Sequence, residues 1–348
     1  MNPQAHPSPT GRFPLQRLAA AAALACGVLL TACGGSSDGT PTPTTTSLSQ
    51  PDATADSANA TSTGNDTASA LDTVIDTTTA LTQATAQAAS ATSERMHTLS
   101  AGPAAAGVTN VTVDCAGGGT ATLSITGGTA ASELNGQLDA GEHYSVSYAQ
   151  CTGQAGYAQL NGSVEMDVTS ADHATSPASL SVSLTVANLA LSLPAGSATL
   201  NGTATVSRSV AEADGTTTTT SHVTVPSATL VTAFNARSGS FTLSDLDATR
   251  TLTSVAGIVT ASQYAGHHTL SGSANGRTFS LNVATTGNTS YDATGALVSG
   301  TWTAVRPHAT IATTLANGTV VMTVDDGNDG TIDHTWTFTA AQLNAAAG

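Results

Sequence analysis

The densest set of residues able to do chemistry is Asp325-Asp326-Gly327-Asn328-Asp329-Gly330-Thr331-Ile332-Asp333. Counted from Asp325, carboxylates stand at positions 1, 5 and 9 and glycine at 6, matching part of the D-x-[DN]-x-[DN]-G calcium loop. Glycine holds position 3, and Trp336 stands at position 12 where the full loop supplies a glutamate. Asp325, Asp329 and Asp333 are thus the candidate metal ligands, and calcium the candidate ion. A plain β-hairpin loop, which uses Asp, Asn and Gly for turn geometry alone, is the competing reading.

The other constellations are weaker. Glu165 with Asp167, and Asp245 with Asp247, are spaced to share one strand face, whereas paired glycosidase carboxylates work across a cleft. His267 and His268 are adjacent, so on a strand they point to opposite faces and do not chelate one ion; surface or edge histidines are expected. One G-x-S-x-G occurs, at 35–39, inside a Gly/Ser-rich stretch that offers no strand-to-helix elbow for Ser37. The chain contains no lysine, which excludes a Walker A loop, a Schiff base and S-x-x-K chemistry. No catalytic residue is assigned.

The N-terminus reads as an address. Arg12 and Arg17 precede an apolar run over 18–30, too short to span a bilayer as a helix, followed by Leu30-Thr31-Ala32-Cys33. That tetrapeptide resembles the lipobox of bacterial lipoproteins. The resemblance implies a signal peptide over 1–32, cleavage before Cys33, and acylation of Cys33 by diacylglyceryl and an N-terminal fatty acid such as palmitate. Ala23-Leu24-Ala25 offers an ordinary cleavage site as the alternative. Acyl chains contribute about 0.8 kcal/mol per buried CH₂, so several on one residue give stable anchoring. Gly34, in place of an inner-membrane-retaining aspartate, implies the outer membrane by the same resemblance.

Charge narrows the function classes. The chain carries Lys+Arg 8 against Asp+Glu 23, a formal −15. Loss of the leader would leave six arginines against all 23 acids, a net −17. With no basic stripe to neutralise phosphates, nucleic-acid binding is not expected. The membrane partner would be lipid reached through Cys33.

The elements follow from pattern. Residues 33–65 are poor in large apolar side chains and read as a flexible tether reaching roughly 30 Å. Over 66–97, Leu71, Val74, Ile75, Thr78, Leu81, Ala84, Ala88 and Ala91 recur at helical steps, with Asp66 or Asp72 as candidate caps. From 107 to 343 the period becomes two, as in Leu180, Val182, Leu184 and Val186, and in Val164, Met166 and Val168. A frame shift at Ala187-Asn188 predicts a bulge. Leu-Asn-Gly occurs at 160–162 and 200–202. The turn at 194–196 leaves no room for another at 201–202, so Gly202 is predicted to bend a strand. The expected fold is mainly β: about 12–14 strands in a curved antiparallel sheet, barrel-like or sandwich, preceded by one helix and the disordered tether. A transmembrane barrel is weighed and set aside for want of aromatic girdles.

Cys115 and Cys151 remain after the leader and the lipid site are accounted for. Export would place them in an oxidising compartment, where a disulfide is expected; no C-x-x-C spacing supports a metal or redox pair. The run Asp114-Cys115-Ala116-Gly117-Gly118-Gly119, then Cys151 and Leu160-Asn161-Gly162, is similar to uncharacterised proteobacterial outer-membrane lipoproteins with a Cys-Gly-Gly…Cys…Leu-Asn-Gly β domain. This likeness implies export and a disulfide but no activity.

Three functional readings follow. The leading one is a lipid-anchored envelope lipoprotein with a non-catalytic structural or binding β domain. The second is a periplasmic carrier or chaperone for lipid or other hydrophobic cargo, with the helix as lid or plug. The third is a hydrolase of unknown specificity.

Overall fold

A computed structural model of the protein describes residues 47–96, 109–115, 118–129, 132–133, 135–152, 159–193, 196–234, 237–274, 277–293 and 295–346. The leader, Cys33, the 35–39 motif and the tether up to residue 46 lie outside the described residues.

One long helix, α1 (Gln50–Met96), precedes fifteen strands: β1 (Thr109–Asp114), β2 (Thr120–Thr126), β3 (His143–Thr152), β4 (Gln159–Asp172), β5 (Ala178–Leu193), β6 (Gly196–Ala213), β7 (Thr216–Phe234), β8 (Arg237–Val255), β9 (Ile258–Ala274), β10 (Arg277–Thr285), β11 (Thr289–Asp292), β12 (Leu297–Arg306), β13 (Ala309–Ala316), β14 (Thr319–Asp326) and β15 (His334–Thr339). A short α2 (Ala340–Ala346) closes the chain. All strands join one antiparallel sheet in sequence order, with β11 paired to β9 and β12 beside the main path. The mainly β, antiparallel architecture is the expected one, with one strand beyond the expected range.

Alternation builds this sheet. On β13 the pattern Ala309, Ile311, Thr313 and Leu315 is buried while the intervening residues are not. The outer face is hydroxyl-rich: Thr112 pairs with Thr122, Ser181 with Ser207, Thr205 with Thr224 and Thr301 with Thr314 across neighbouring strands. A bilayer-facing barrel wall needs apolar residues where these hydroxyls stand. Asp214-Gly215, Ala256-Gly257 and Asn317-Gly318 carry paired positive φ values, 52° and 74°, 49° and 76°, and 51° and 73°. These are the tight turns whose twist suits a hairpin.

The central strands are long, up to 19 residues in β7 and β8, or about 60 Å at 3.3 Å per residue. They are bent near their middles. Register shifts fall at Tyr148/Cys151, Val186/Leu189, Thr203/Thr205 and Ser244/Asp247, so the bends line up across β3 to β9 as one crease. The predicted bulge at Ala187-Asn188 is the second of these.

The Leu-Asn-Gly motif explains how a bend is tolerated. Gln150 and Asn188 adopt positive φ, and their N–H groups donate to the side-chain oxygens of Asn161 (2.8 Å) and Asn201 (2.7 Å) on the next strand. Gly162 clears the following bulge, since a Cβ there would stand 2.2 Å from the Asn188 carbonyl oxygen. Gly202 lies mid-strand with φ +153°, as expected.

Helix α1 corrects the sequence reading. It begins at Gln50, not at Asp66, so 50–65 is helix rather than tether, with Ala53, Ala58 and Ala60 at most 3% exposed. Low local hydrophobicity predicted disorder, but alanine and threonine suffice when a sheet supplies the large apolar side chains. The start is capped by Ser49, whose hydroxyl accepts from Asp52 N and donates to the Asp52 carboxylate. Asp66 and Asp72 are interior positions. The buried hydroxyls of Thr78 and Thr82 donate to the carbonyls of Val74 and Thr78, both at 2.9 Å, which lets threonine sit inside.

Cys115 and Cys151 form a disulfide with Cα atoms 5.4 Å apart, tying the end of β1 to β3 across β2. Closing this loop contributes about 4 kcal/mol in the chain-entropy model.

The crease is testable. At Gly202 a Cβ would stand 2.7 Å from the Ala228 Cβ. Gly202→Ala should lower the unfolding free energy in a urea titration by about 2 kcal/mol. Ser207→Ala, on the outward hydroxyl ladder, should change it by less than about 0.5 kcal/mol.

Candidate functional site

Several of the polar residues that the fold buries form a row across its inner face. Register pairs Arg208 (β6) with Ser221 (β7), Ser221 with Arg250 (β8), Arg250 with Tyr264 (β9), and Tyr264 with Thr289 (β11). Side chains directly opposite each other on antiparallel strands share a face, so these five make one rung crossing the sheet. Ser221, Arg250, Tyr264 and Thr289 are at most 4% exposed.

Helix α1 lies over this rung with its own polar side chains. Asp72 accepts from Ser221 Oγ at 2.6 Å and from Arg250 Nη1 at 2.8 Å. Asp76, one helical turn on, accepts from Arg208 Nη1 at 2.5 Å. Nearer its start, Asp56 pairs with Arg306 at 3.0 Å, and the Ser57 carbonyl accepts from the buried Trp302 indole N–H at 3.0 Å. The helix thus crosses the strands from β13 to β6. An i, i+4 carboxylate pair on the helix meets arginines on two strands.

Between these anchors the packing is tight and incompletely satisfied. A Cβ at Gly64 would stand 2.1 Å from Tyr264 Oη and 3.0 Å from His268 Cε1, so only glycine admits both rings against the helix. Tyr264 Oη, both His268 ring nitrogens and Asn65 Oδ1 are buried without a hydrogen-bond partner among the described residues. Such orphaned polar atoms are rare in native interiors and each costs about 1–3 kcal/mol.

Two ionisable groups here are strongly perturbed. Burial holds the His268 imidazole neutral, pushing its pKa down to about 4, with His267 adding a smaller effect in the same direction. Asp66 keeps some exposed surface, yet desolvation of its carboxyl raises the pKa to about 7 against the opposing pull of Arg250. Burial likewise raises the Tyr264 and Tyr291 phenols.

The sequence-derived candidates fall elsewhere. Asp325 accepts from the backbone N–H groups of Asp329 (3.1 Å) and Gly330 (2.8 Å). Asp329 accepts from Thr331 N at 2.8 Å, and Asp333 from Asp326 N at 2.7 Å. All three carboxylates are turned onto the loop's own backbone, which is the turn-forming use of these residues, and calcium is carried no further. Among the described residues, no three of His, Cys, Asp and Glu are grouped as a metal site requires.

Glu165 and Asp167 do share a face, and they grip His143 from both sides at 2.9 and 2.7 Å. The Asp167 hydrogen bond leads in raising that imidazole's pKa. Asp247 pairs with His222 at 2.9 Å, while the bulge gives Asp245 a positive φ. His267 and His268 point to opposite faces as expected, but His268 is core rather than surface.

An open cleft of about 460 Å³ beside the start of α1 is lined by Leu48, Phe279, Arg306, His308 and Asp326, among others. Its Arg306 and Asp326 already hold Asp56 and Leu48 N. A second, apolar crevice runs between α1 and the crease, lined by Leu71, Val186, Leu200, Ala204, Val225 and Ala228. It has only about 10 Å³ of room, enough for one water at most.

Arg208, Arg250, Tyr264 and Asp76 were not singled out in the sequence, and Asp72 was read only as a candidate helix cap. The usable signal was charge: of six arginines beyond the leader, three fall on strands that read as core-facing. No protein-family model matches the chain, and neither a curated protein nor a solved structure matches it.

The two perturbed groups predict opposite pH effects. Asp66 binds its proton more tightly folded than unfolded, so its contribution is full below pH 3.8 and lost as pH rises towards about 7. His268 binds its proton less tightly when folded, so its contribution is present above pH 6.5 and lost as pH falls towards about 4. In urea titrations across this range, Asp66→Asn should gain stability over the parent at pH 8, and the gain should vanish by pH 4. His268→Gln should show the mirror image, with its relative gain confined to acid.

Proposed function

We propose that this chain is an exported lipoprotein, moored through acylated Cys33, whose β body works by binding rather than by catalysis. The observation that carries the reading is that three acids of α1 are committed to seating the helix on the sheet. Asp72, Asp76 and Asp56 are each spent on an arginine of the sheet, not on one another or on a shared reacting centre. The exposed His143 and His222 clusters are single imidazoles held by carboxylates, an arrangement that steadies a strand face.

The anchoring half rests on the Leu30-Thr31-Ala32-Cys33 spacing and the acidic body. A strongly negative domain is repelled by anionic headgroups, so a covalent tether rather than a basic patch is the fitting means of holding it at a membrane. The outer membrane is the proposed destination.

A second reading, a carrier of hydrophobic cargo, is favoured by the character of the α1 interface. The buried face of α1 is largely alanine, serine and threonine, and orphaned polar atoms lie beneath it. A helix seated this way is held by few large apolar contacts and can exchange for another occupant of the same trough. While it is seated, the apolar crevice along the crease admits nothing larger than water.

Mooring is checked by metabolic labelling with radioactive palmitate and by fractionation. The parent chain should incorporate label and pellet with membranes. Cys33→Ser should lose both, and an unlabelled parent would refute the anchor.

A further inference from the structure

We infer that Arg250 and Ser221, with Arg208 nearby, form a binding site for the carboxylate of a long-chain fatty acid, and that Asp72 and Asp76 of α1 occupy it as built-in stand-ins for that headgroup. This rests on the carrier reading and names its ligand.

The surroundings of Arg250 set the requirement. Its neighbours on the inner face include Val206, Val223 and Ala248, none more than 2% exposed. A guanidinium in such a place needs an anion, and the carboxylate bonded to it, Asp72, belongs to the helix, as does Asp66 on which it also pulls. The helix carboxylates use the arginines incompletely. Asp72 reaches Nη1 of Arg250 and Asp76 reaches Nη1 of Arg208, while Nε of each arginine is buried without a partner. Arginine binds carboxylate best through two parallel N–H donors, a geometry these backbone-tethered aspartates do not reach. A free carboxylate can turn to accept from Nε and Nη together.

The acyl chain also has a place. Leu71, Val74 and Ile75 flank Asp72 on the helix and belong to the same core cluster as Val182, Leu184 and Val206 of the sheet. The apolar crevice beside the crease is lined by Leu71 of the helix together with Val186, Leu200 and Ala228 of the sheet. A chain attached to a carboxylate on Arg250 therefore finds an apolar path where the helix side chains now lie. Displacing the Asp72 carboxylate leaves Arg250 buried without a charge partner unless another carboxylate replaces it, so an incoming fatty-acid headgroup would meet that need as α1 leaves.

The test uses the full chain carrying Cys33→Ser, so that its own acyl groups do not compete, titrated with oleate and followed by calorimetry and native mass spectrometry. Oleate should bind one to one. Asp72→Asn with Asp76→Asn, which removes the internal competitor, should tighten binding about tenfold, the worth of one charge-assisted bond. Arg250→Met should weaken it by a similar factor. Oleyl alcohol, which lacks the charge, should bind more weakly than oleate and should not distinguish Arg250→Met from the parent.

Should Arg250→Met fail to fold, the Asp72/Asp76 pair of variants decides alone. Equal binding of acid and alcohol, or no gain on removing the aspartates, overturns the headgroup site while leaving the carrier reading intact. Failure of every amphiphile to bind overturns both. Stronger binding of lysophosphatidic acid than of oleate overturns the fatty-acid assignment in favour of a phospholipid headgroup.

Discussion

A helix built from alanine, serine, threonine and aspartate can lie inside a protein only if its polar groups are answered there. In this chain much of the answer comes from one rung of the sheet, and Arg306 and Trp302 answer Asp56 and Ser57 beyond it. Asp72 meets Ser221 and Arg250, and Asp76 meets Arg208, so the 3.6-residue repeat of the helix is matched to the spacing of neighbouring strands. The hydroxyls of Thr78 and Thr82 turn back onto the helix itself. With these contacts made, small side chains are an advantage, because they let a helix approach a sheet as closely as Gly64 approaches Tyr264.

The same arrangement is specific rather than strongly stabilising. Buried ion pairs roughly offset their own desolvation, so the arginine–aspartate contacts fix the register of α1 more than they hold it down. The orphaned atoms of Tyr264, His268 and Asn65 oppose seating, and Asp66 adds a cost once it ionises. Function as a binding body is consistent with this balance: the inner face is closed by an element of the chain itself, and what closes it chemically resembles an anionic amphiphile. The rigid partner is the sheet, whose crease is built from bulges that pair with Asn161 and Asn201 and pack beside Gly162 and Gly202.

Much of the sheet was legible in the sequence, since a strand with one wet face writes a period of two directly into its residues. Val164, Met166 and Val168, and Leu180 to Val186, declared their buried face, and the frame slip at Ala187-Asn188 declared its bulge. Gly202 was placed mid-strand by the lengths on either side of it. The Ala256-Gly257 turn went unread because alanine is an unusual residue at a positive φ. The acidic loop at 325–333 left a calcium loop and a plain hairpin both open, because the residues that bind calcium are also those that accept backbone N–H groups in turns, as they do here.

By itself, then, the order of residues determined that the body is an antiparallel sheet, where its faces lie, and that Cys115 and Cys151 are a pair suited to bridging. It could not show that 50–65 belongs to the helix, that His268 is core, or that Arg208 and Arg250 share a rung. Those facts depend on partners far along the chain: Asp72 meets Arg250 across 178 positions. Burial of a polar or small residue is decided by what the rest of the fold brings to it, and no local period records that. Tertiary structure alone placed the charged helix on the charged rung.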